Sequence, residues 1–310
     1  MKIDNETLKG HIASLCTNLI FGLNINVLKS LFDNAWISPL GNAIFRSIFG
    51  FLLFWTIGFF SPKEKIPPRD LLKFLGAALL GMCLGPITFS LGLNVASPVI
   101  MSMIASLNPF FVLILSALIL GEHITLKKGI GVLAGITGAA ILISQSGSSG
   151  GGENNFLGVI LALISVMGIS VYFIIIRRTA VKYSGITIMK WMFLFGFIVL
   201  LPLSIYELPR QGIFTPGVSL LPVLQLAFSL IFSCGVAVFL QPVALRRISA
   251  SSSSMYTNVQ PLTATVMALV LGQDILTWDK PLALILIVFG VYLVNHRIST
   301  ARKRKQEGGS

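Results

Sequence analysis

Residues 106–125 read SLNPFFVLILSALILGEHIT, and residues 258–277 read NVQPLTATVMALVLGQDILT. A constant offset of 152 residues relates these two stretches and pairs Pro109 with Pro261. Both stretches are largely apolar, carry a proline near the start, and end close to a glycine and an acidic residue. Because one pattern occurs twice at this distance, we predict a fold built from two related halves.

A second offset relates the beginnings of the two halves. A shift of 148 residues pairs Gly10 with Gly158 and Lys29 with Arg177. The difference of four residues from the first offset corresponds to one small insertion between the two matching regions. The duplication therefore extends over most of the chain.

The composition is that of a membrane protein. Hydrophobic residues make up 55% of the 310 residues, charged residues only 11%, and the mean hydropathy is +0.87. Soluble domains carry about 25% charged residues, and a helix needs about 20 apolar residues to cross a bilayer. Ten apolar runs approach or exceed that length, near 10–30, 37–60, 72–94, 98–120, 129–145, 157–177, 186–206, 220–243, 250–271 and 281–295.

The basic residues are distributed unevenly between the predicted loops. Eighteen of the 23 Lys and Arg residues fall in segments on the side that holds both termini, and three fall on the other side. This asymmetry places both termini in the cytoplasm and requires an even number of spans. Ten spans give five per half, and an odd number per half inverts the second half. We interpret the net charge of +12 as a topology signal and expect no nucleic-acid partner.

The predicted fold is an all-α integral membrane protein of ten transmembrane helices, arranged as two inverted five-helix repeats. The predicted organisation is a first repeat at 1–144, a Gly/Ser linker at 145–156, a second repeat at 157–296 and a basic cytoplasmic tail at 297–310. Inverted repeats commonly enclose a site near the bilayer midplane.

The acidic residues, histidines and cysteines do not form a recognisable reactive site. All eleven carboxylates and all three histidines can be placed at span ends or in loops, and the three cysteines fall inside spans. We therefore expect no catalytic residue, no metal site and no cofactor. Coupling to protons or sodium needs a buried ionisable group, for which Glu122 and His11 are the only candidates.

Arg46 lies near the middle of the second predicted span. A charge at that depth costs at least about 2.5–3.5 kcal/mol on insertion scales, so it must face protein or water. One interpretation is an anchor for a substrate carboxylate, since the guanidinium group matches that geometry. The other is an arginine that donates to backbone carbonyls at a helix break.

Uncharged polar residues follow helical spacing in three spans. Two triplets with spacing i, i+4, i+7 are related by the 152-residue offset: Ser102, Ser106 and Pro109, and Ser254, Asn258 and Pro261. In the first span, one face carries Asn18, Gly22, Asn26 and Lys29. Each proline removes a backbone hydrogen bond, which is tolerated where protein or a wet cavity satisfies the freed groups. These faces line a central pocket or, alternatively, make helix–helix hydrogen bonds.

Several segments together resemble the EamA-type families of the drug/metabolite transporter superfamily. The repeated segments described first end in Gly121–Glu122 and in Gly272–Gln273–Asp274. Further matching segments are ALRRISASSSSMYTNVQP at 244–261, FRSIFGFLL at 45–53 and IFGLNINVLK at 20–29. In the last segment, Phe21 stands where Trp is common.

The resemblance implies ten helices, cytoplasmic termini and a substrate cavity between the halves. It also implies export or exchange of small metabolites, prominently amino acids. Carried over by position, the substrate-binding residues would be Asn18, Arg46, Ser102, Ser106, Tyr256, Asn258 and Gln260. Pro109 and Pro261 are predicted hinges.

The sequence thus predicts a multi-pass transporter of the bacterial inner membrane, working by alternating access on a small-molecule substrate in the lipid bilayer. We expect either a monomer or a homodimer. Three alternatives remain open: transport of drug-like or other amphiphilic compounds, a non-transporting sensor or scaffold, and a lipid-acting enzyme using Glu122 with His123 and Lys127.

Overall fold

The three-dimensional structure is a computed structural model. It describes residues 5–120 and 153–275, together with single positions from 130 to 141 and from 277 to 289. Every regular element in this part of the chain is helical. Glu122, most of the Gly/Ser linker, most of the predicted spans near 129–145 and 281–295, and the basic tail lie outside the described residues.

Twelve α-helices have described bounds. They are α1 (Asn5–Asp33), α2 (Pro39–Phe59), α3 (Pro68–Ala78), α4 (Gly85–Val95), α5 (Pro98–Ala105), α6 (Asn108–Leu120), α7 (Asn155–Ala180), α8 (Gly185–Glu207), α9 (Leu220–Phe228), α10 (Val238–Arg247), α11 (Ala250–Ser254) and α12 (Val259–Val270). Short π-helical segments at Leu79–Leu84 and Ser229–Ala237 continue α3 into α4 and α9 into α10.

Seven helical stretches in the described part of the chain are long and apolar enough to cross a membrane. They are Asn5–Asp33, Pro39–Phe59, Pro68–Val95, Pro98–Leu115, Asn155–Ala180, Gly185–Arg210 and Leu220–Arg247. Large apolar side chains are exposed on their outer faces, as expected for a surface in contact with lipid. The all-helical membrane fold is confirmed, while the count of ten helices and the inversion of the repeat stay predictions.

The two halves repeat the same order of elements. The third span of the first half begins at Pro68, and its counterpart begins 152 residues later at Leu220. Both spans are interrupted in the same place by a π-helical segment. Such segments are rare in proteins, but those that occur are often found at functional sites. The duplicated sequence therefore also repeats an irregular π-helical segment.

Serine caps begin corresponding helices in the two halves. Ser38 and Ser184 cap α2 and α8, and Ser97 and Ser249 cap α5 and α11. Each hydroxyl oxygen accepts a hydrogen bond from a backbone N–H in the first turn, which would otherwise lack an intrahelical partner. These caps fix where the spans start after very short connections.

The fourth predicted span of the first half is divided between α5 and α6. The helix ends at Ala105 and resumes at Asn108, so that Pro109 occupies the first turn of α6, where its missing N–H costs little. In the second half a 3₁₀ segment at Met255–Asn258 precedes Pro261 in the first turn of α12. Both proline positions thus follow helix breaks, and their hinge role stays a prediction.

The first helix of each half packs on the other half. Helix α1 contacts α10 and α12, while α7 contacts α4 and α6. Glycines allow both close approaches: a Cβ on Gly10 would lie 2.8 Å from the Cβ of Arg247, and one on Gly158 would lie 2.2 Å from the Cβ of Ala96. The cavity described next lies between the halves joined by these crossings.

Candidate functional site

An open cavity lies between the two halves. Its 24 lining residues come from both halves, fourteen from the first and ten from the second. They are carried by α1, α2, α4, α7, α10 and α12, by both π-helical segments, and by the ends of α5 and α6 and the 3₁₀ segment before α12. The cavity is therefore formed jointly by helices of both halves.

Most of the cavity wall consists of positions that are equivalent in the two halves. Nine pairs of lining residues are related by one of the two sequence offsets. Four pairs differ by 148 residues: Asn18/Val166, Phe21/Ile169, Asn24/Tyr172 and Ile25/Phe173. Five pairs differ by 152 residues: Gly81/Ser233, Pro86/Val238, Phe89/Gln241, Ala105/Thr257 and Asn108/Gln260. The duplication thus supplies the space, while the residue types at paired positions differ.

Helix α2 adds two polar residues that belong to none of these pairs, and Ser90 of α4 and Ser165 of α7 also belong to none of them. Asn42 and Arg46 lie one turn apart on α2, and both line the cavity. None of the lining residues belongs to α8, the corresponding helix of the second half. The charged group in the described wall therefore comes from α2, with no equivalent from α8.

Among the described residues that line the cavity, Arg46 is the only one that carries a charge. Its side chain is half-buried, and Nη1 donates a hydrogen bond to Ser233 Oγ at 3.0 Å. No carboxylate lies within 4.0 Å of the guanidinium group in the described residues, and none of the lining residues is Asp or Glu. The site can therefore receive an anionic group without first breaking an ion pair.

Three buried amide atoms on the cavity wall have no hydrogen-bond partner in the described protein. They are Asn24 Oδ1 and Asn42 Oδ1, which are acceptors, and Asn108 Nδ2, which is a donor. An unsatisfied buried polar atom costs about 1–3 kcal/mol. These atoms are closed off from solvent in this arrangement, and a ligand or water that reached them after a side-chain movement would recover that cost.

Other polar groups of the wall are bonded across the interface between the halves. Gln260 Nε2 donates to Asn18 Oδ1 at 2.7 Å, and Ser170 Oγ donates to Asn108 Oδ1 at 2.7 Å. Together with the Arg46–Ser233 bond, these contacts join the first half to the second at the cavity. A ligand that competes for them would act directly on the contact between the halves.

Three of the predicted binding residues line the cavity, namely Asn18, Arg46 and Gln260. Ser102 and Ser106 are fully buried behind the wall, and their hydroxyls donate to the carbonyls of Val99 and Ser102. These bonds lie within one helix, while Ser106 Oγ also lies 3.5 Å from the Thr257 carbonyl in the second half, a contact of the helix–helix kind that the alternative interpretation named.

Tyr256 and Asn258 also lie outside the cavity wall. The hydroxyl of Tyr256 is 3.0 Å from Nδ1 of His11, while Oδ1 of Asn258 is buried without a partner. A substrate-binding role for these two residues and for the two buried serines stays a prediction.

Of the polar face that the spacing indicated on α1, Asn18 lines the cavity, whereas Gly22, Asn26 and Lys29 do not. Gly22 and Asn26 face α12: a Cβ on Gly22 would meet Thr263, and Asn26 Nδ2 donates to the carbonyl of Ala264 at 3.2 Å. Lys29 bonds to Asp33 at 2.9 Å and to the carbonyl of Asn94.

Sequence reasoning missed Asn24 and Asn42 as functional candidates. Asn24 belongs to a different stripe of α1 from Gly22 and Asn26, together with Phe21, Ile25 and Leu28. The sequence feature that could have indicated them is that each is a polar asparagine inside an apolar span. No periodicity distinguished these two residues from the structural Asn26. As for metals, no three His, Cys, Asp or Glu side chains come together in the described parts of the chain.

Comparison with known proteins identifies the family. The model of the EamA-like transporter family matches residues 8–144 and 156–296, one match in each half. A solved crystal structure has a TM-score of 0.64 to this chain at 19% sequence identity, covering 94% of this chain and 99% of its own. At that identity the structural match speaks for the fold alone.

Similar sequences are named as transporters. An uncharacterized transporter of Archaeoglobus fulgidus is 26% identical over 93% of this chain and 99% of its own. The uncharacterized transporter YvbV of Bacillus subtilis is 27% identical over 92% of this chain and 90% of its own. A probable terminal-alkyne amino-acid exporter of Streptantibioticus cattleyicolor is 27% identical over 67% of each chain. The resemblance seen in the sequence is confirmed, and the chain belongs to the EamA-like transporter family as a multi-pass membrane transporter.

Proposed function

We propose that this protein moves amino acids across the bacterial inner membrane, by export or facilitated diffusion. The observation that carries the proposal is the cavity between the halves. Its wall includes Arg46, which has no carboxylate partner, and Asn24 and Asn42, each of which has a buried amide oxygen without a hydrogen-bond partner in the described protein. A zwitterion needs both kinds of group, since it carries one anionic and one cationic end.

Arg46 is assigned to the substrate carboxylate. The guanidinium group has five N–H donors in a planar fork, and the described bonds commit only one of its nitrogens, to Ser233. The remaining donors can pair with two carboxylate oxygens, and a charge-assisted pair of this kind is about twice as strong as a neutral hydrogen bond.

Asn24 and Asn42 are assigned to the substrate ammonium group. Their Oδ1 atoms are acceptors without a protein partner, and an ammonium group offers three donors. Asn42 also lies one helical turn from Arg46 on α2. This spacing suits a substrate whose carboxylate and ammonium group are attached to the same carbon.

The remaining wall is suited to the substrate side chain. Phe21, Phe89, Ile169 and Phe173 are among the apolar residues that line the cavity. Apolar walls with a few placed polar groups are typical of small-molecule sites. The same walls also favour a second candidate, transport of drug-like amphiphiles, for which the polar contacts would matter less.

For the mechanism we propose rocking of two inverted five-helix repeats around the cavity, with both termini in the cytoplasm. Support comes from the reciprocal crossings at Gly10 and Gly158, where the first helix of each half contacts the other half. The helix breaks before Pro109 and Pro261 are suitable points for bending.

The test is transport by the purified full chain in proteoliposomes. Vesicles are loaded with one unlabelled amino acid at a time, and exchange against the labelled compound is measured in both orientations of the gradient. Exchange of at least one amino acid is expected. Its methyl ester and its N-acetyl derivative, which remove one charge each, should both compete poorly.

Two results would contradict the proposal. If no amino acid exchanges in either direction while an amphiphilic dye is transported, the second candidate is the better description. If neither class moves although the protein is folded and oriented, a sensor or scaffold role becomes the preferred hypothesis. Protein-free vesicles serve as the control for leakage.

A further inference from the structure

A second cavity lies at one end of α2 and the beginning of α8. It is separate from the central cavity and shares none of its lining residues. Its walls include Gly58, Lys63, Glu64, Thr187, Lys190 and Trp191. The proposed transport function does not use it.

Lys190 is held in this cavity by three contacts. Its aliphatic stem lies on Gly58, where an added Cβ would be 2.8 Å from the Lys190 Cδ. Trp55 Nε1 donates a hydrogen bond to the Lys190 carbonyl at 3.1 Å, and the Lys190 ammonium group lies 4.7 Å from the centroid of the Trp55 ring. A lysine that only extends its ammonium group towards water does not need these packing contacts. The contacts with Gly58 and Trp55 therefore fix the position of the Lys190 ammonium group.

The cavity carries excess positive charge. Neither Lys63 nor Lys190 has a carboxylate within 4.0 Å in the described residues. Glu64 lines the same cavity, but its two carboxylate oxygens accept from the backbone N–H of Ser184 at 3.1 and 3.2 Å. The carboxylate is thus directed at the beginning of α8, and the two lysines are left for an external anion.

The surroundings place this anion site at a membrane surface. Phe59 and Phe60 follow directly on the end of α2 and are 80% and 82% exposed, and Trp191 lines the cavity itself. Aromatic residues at the ends of spanning helices sit at the level of the lipid headgroups. An anion that reaches this level most readily is the phosphate of a phospholipid.

We propose that this cavity binds the headgroup of an anionic phospholipid, with Lys63 and Lys190 contacting its phosphate and its acyl chains lying outside the bundle. Basic pockets between spanning helices are recognised sites for such headgroups. Because the lipid would contact both α2 and α8, one from each half, its binding stabilises the packing of the two halves in this arrangement.

The test uses the purified full chain in detergent, with phosphatidylglycerol as the probe. Binding is followed by native mass spectrometry and by the melting temperature, and phosphatidylcholine and glycerol 3-phosphate are titrated in parallel. We expect selective binding of phosphatidylglycerol. Lys63→Gln and Lys190→Gln should each weaken it about fivefold, the effect of one basic residue near an anionic surface.

Lys65→Gln is the matched control, because this exposed lysine lies two residues from Lys63 and does not line the cavity. It should leave the affinity unchanged, and Lys190→Arg should retain most of it. Equal binding of the two lipids overturns the proposal. So does glycerol 3-phosphate acting as strongly as the lipid, which would mean a soluble-anion site. Equal losses in Lys63→Gln and Lys65→Gln would mean diffuse attraction only.

Discussion

Helices α2 and α8 occupy corresponding places in the two halves, yet only α2 contributes to the wall of the central cavity. Helix α2 directs Asn42 and Arg46 into that space. Helix α8 buries Ile188, Met189 and Met192 completely, and its one cation, Lys190, lies over Trp55 in a different cavity. The two related halves thus both contribute equivalent positions to the cavity wall, whereas the charged residue, Arg46, comes from α2 and has no equivalent on α8.

The largest expected effect concerns the charge on α2. Arg46→Gln should reduce transport of a carboxylate-bearing substrate about 10- to 100-fold, the value of one hydrogen-bonded charge contact. The measurement is initial exchange rate in proteoliposomes against substrate concentration. Arg69→Gln, on the exposed start of α3, is the matched control. Equal rates for Arg46→Gln and the wild type would remove the basis for the asymmetric site.

The second prediction concerns the close packing of α2 against α8. A Cβ on Gly50 would lie 2.3 Å from Cδ1 of Phe193, a side chain of α8 that is only 2% exposed. Gly50→Ala should therefore lower the free energy of unfolding by about 1–3 kcal/mol through overpacking.

Gly76→Ala is the control for this change, because no atom lies within 4 Å of the added Cβ. In the middle of α3 it should stabilise by up to about 1 kcal/mol through helix propensity. Melting temperatures of the two variants in one detergent should move in opposite directions. A Gly50→Ala variant as stable as the wild type would show that α2 and α8 are not closely packed at this point.

A third prediction separates binding from stability on α1. Asn24→Leu removes an oxygen without a protein partner, so it should weaken substrate affinity about fivefold, the value of one hydrogen bond. The empty protein should keep or raise its melting temperature. Asn26→Leu is the contrasting variant, because it loses a bond to the Ala264 carbonyl. It should lower the melting temperature with little change in affinity.

The smallest expected effect concerns the segment that leads into α8. The hydroxyl of Tyr183 donates to Asp70 Oδ2 at 2.7 Å, and this bond, with burial, raises the pKa of Tyr183. Because the folded-state pKa is the higher one, the stabilisation is complete below the unfolded pKa of about 10 and is lost as the pH rises through the folded pKa.

Tyr183→Phe should accordingly lower stability near neutral pH by about 1 kcal/mol. Its difference from the wild type should disappear in strongly alkaline solution. Melting curves from pH 7 to about pH 11 test this. The control is Tyr206→Phe, at an exposed tyrosine of α8. A difference that grows as the pH rises would contradict the assigned direction.

Much of the site could be anticipated where a residue type is unusual for its setting. Arg46 stood out because a charge inside an apolar span demands a partner or a cavity, and it does line the cavity. Asn18 was expected from its helical spacing and from the family resemblance, Gln260 from the resemblance, and both line the cavity. Gly22 and Asn26 followed the same spacing but face α12, since spacing defines a face and does not identify what that face contacts.

The sequence by itself determined the apolar helices, the duplication, the helix breaks at Pro109 and Pro261, and the family. These follow from properties that each segment carries locally, such as hydropathy, proline chemistry and repeated spacing. The tertiary structure decided which polar side chains are left without a partner, because that depends on neighbours more than a hundred residues away. Asn24 and Asn26 are chemically identical, and each has an amide oxygen without a partner in the described protein. The position of α12 gives Asn26 Nδ2 a bond to the Ala264 carbonyl, while Asn24 lines the cavity.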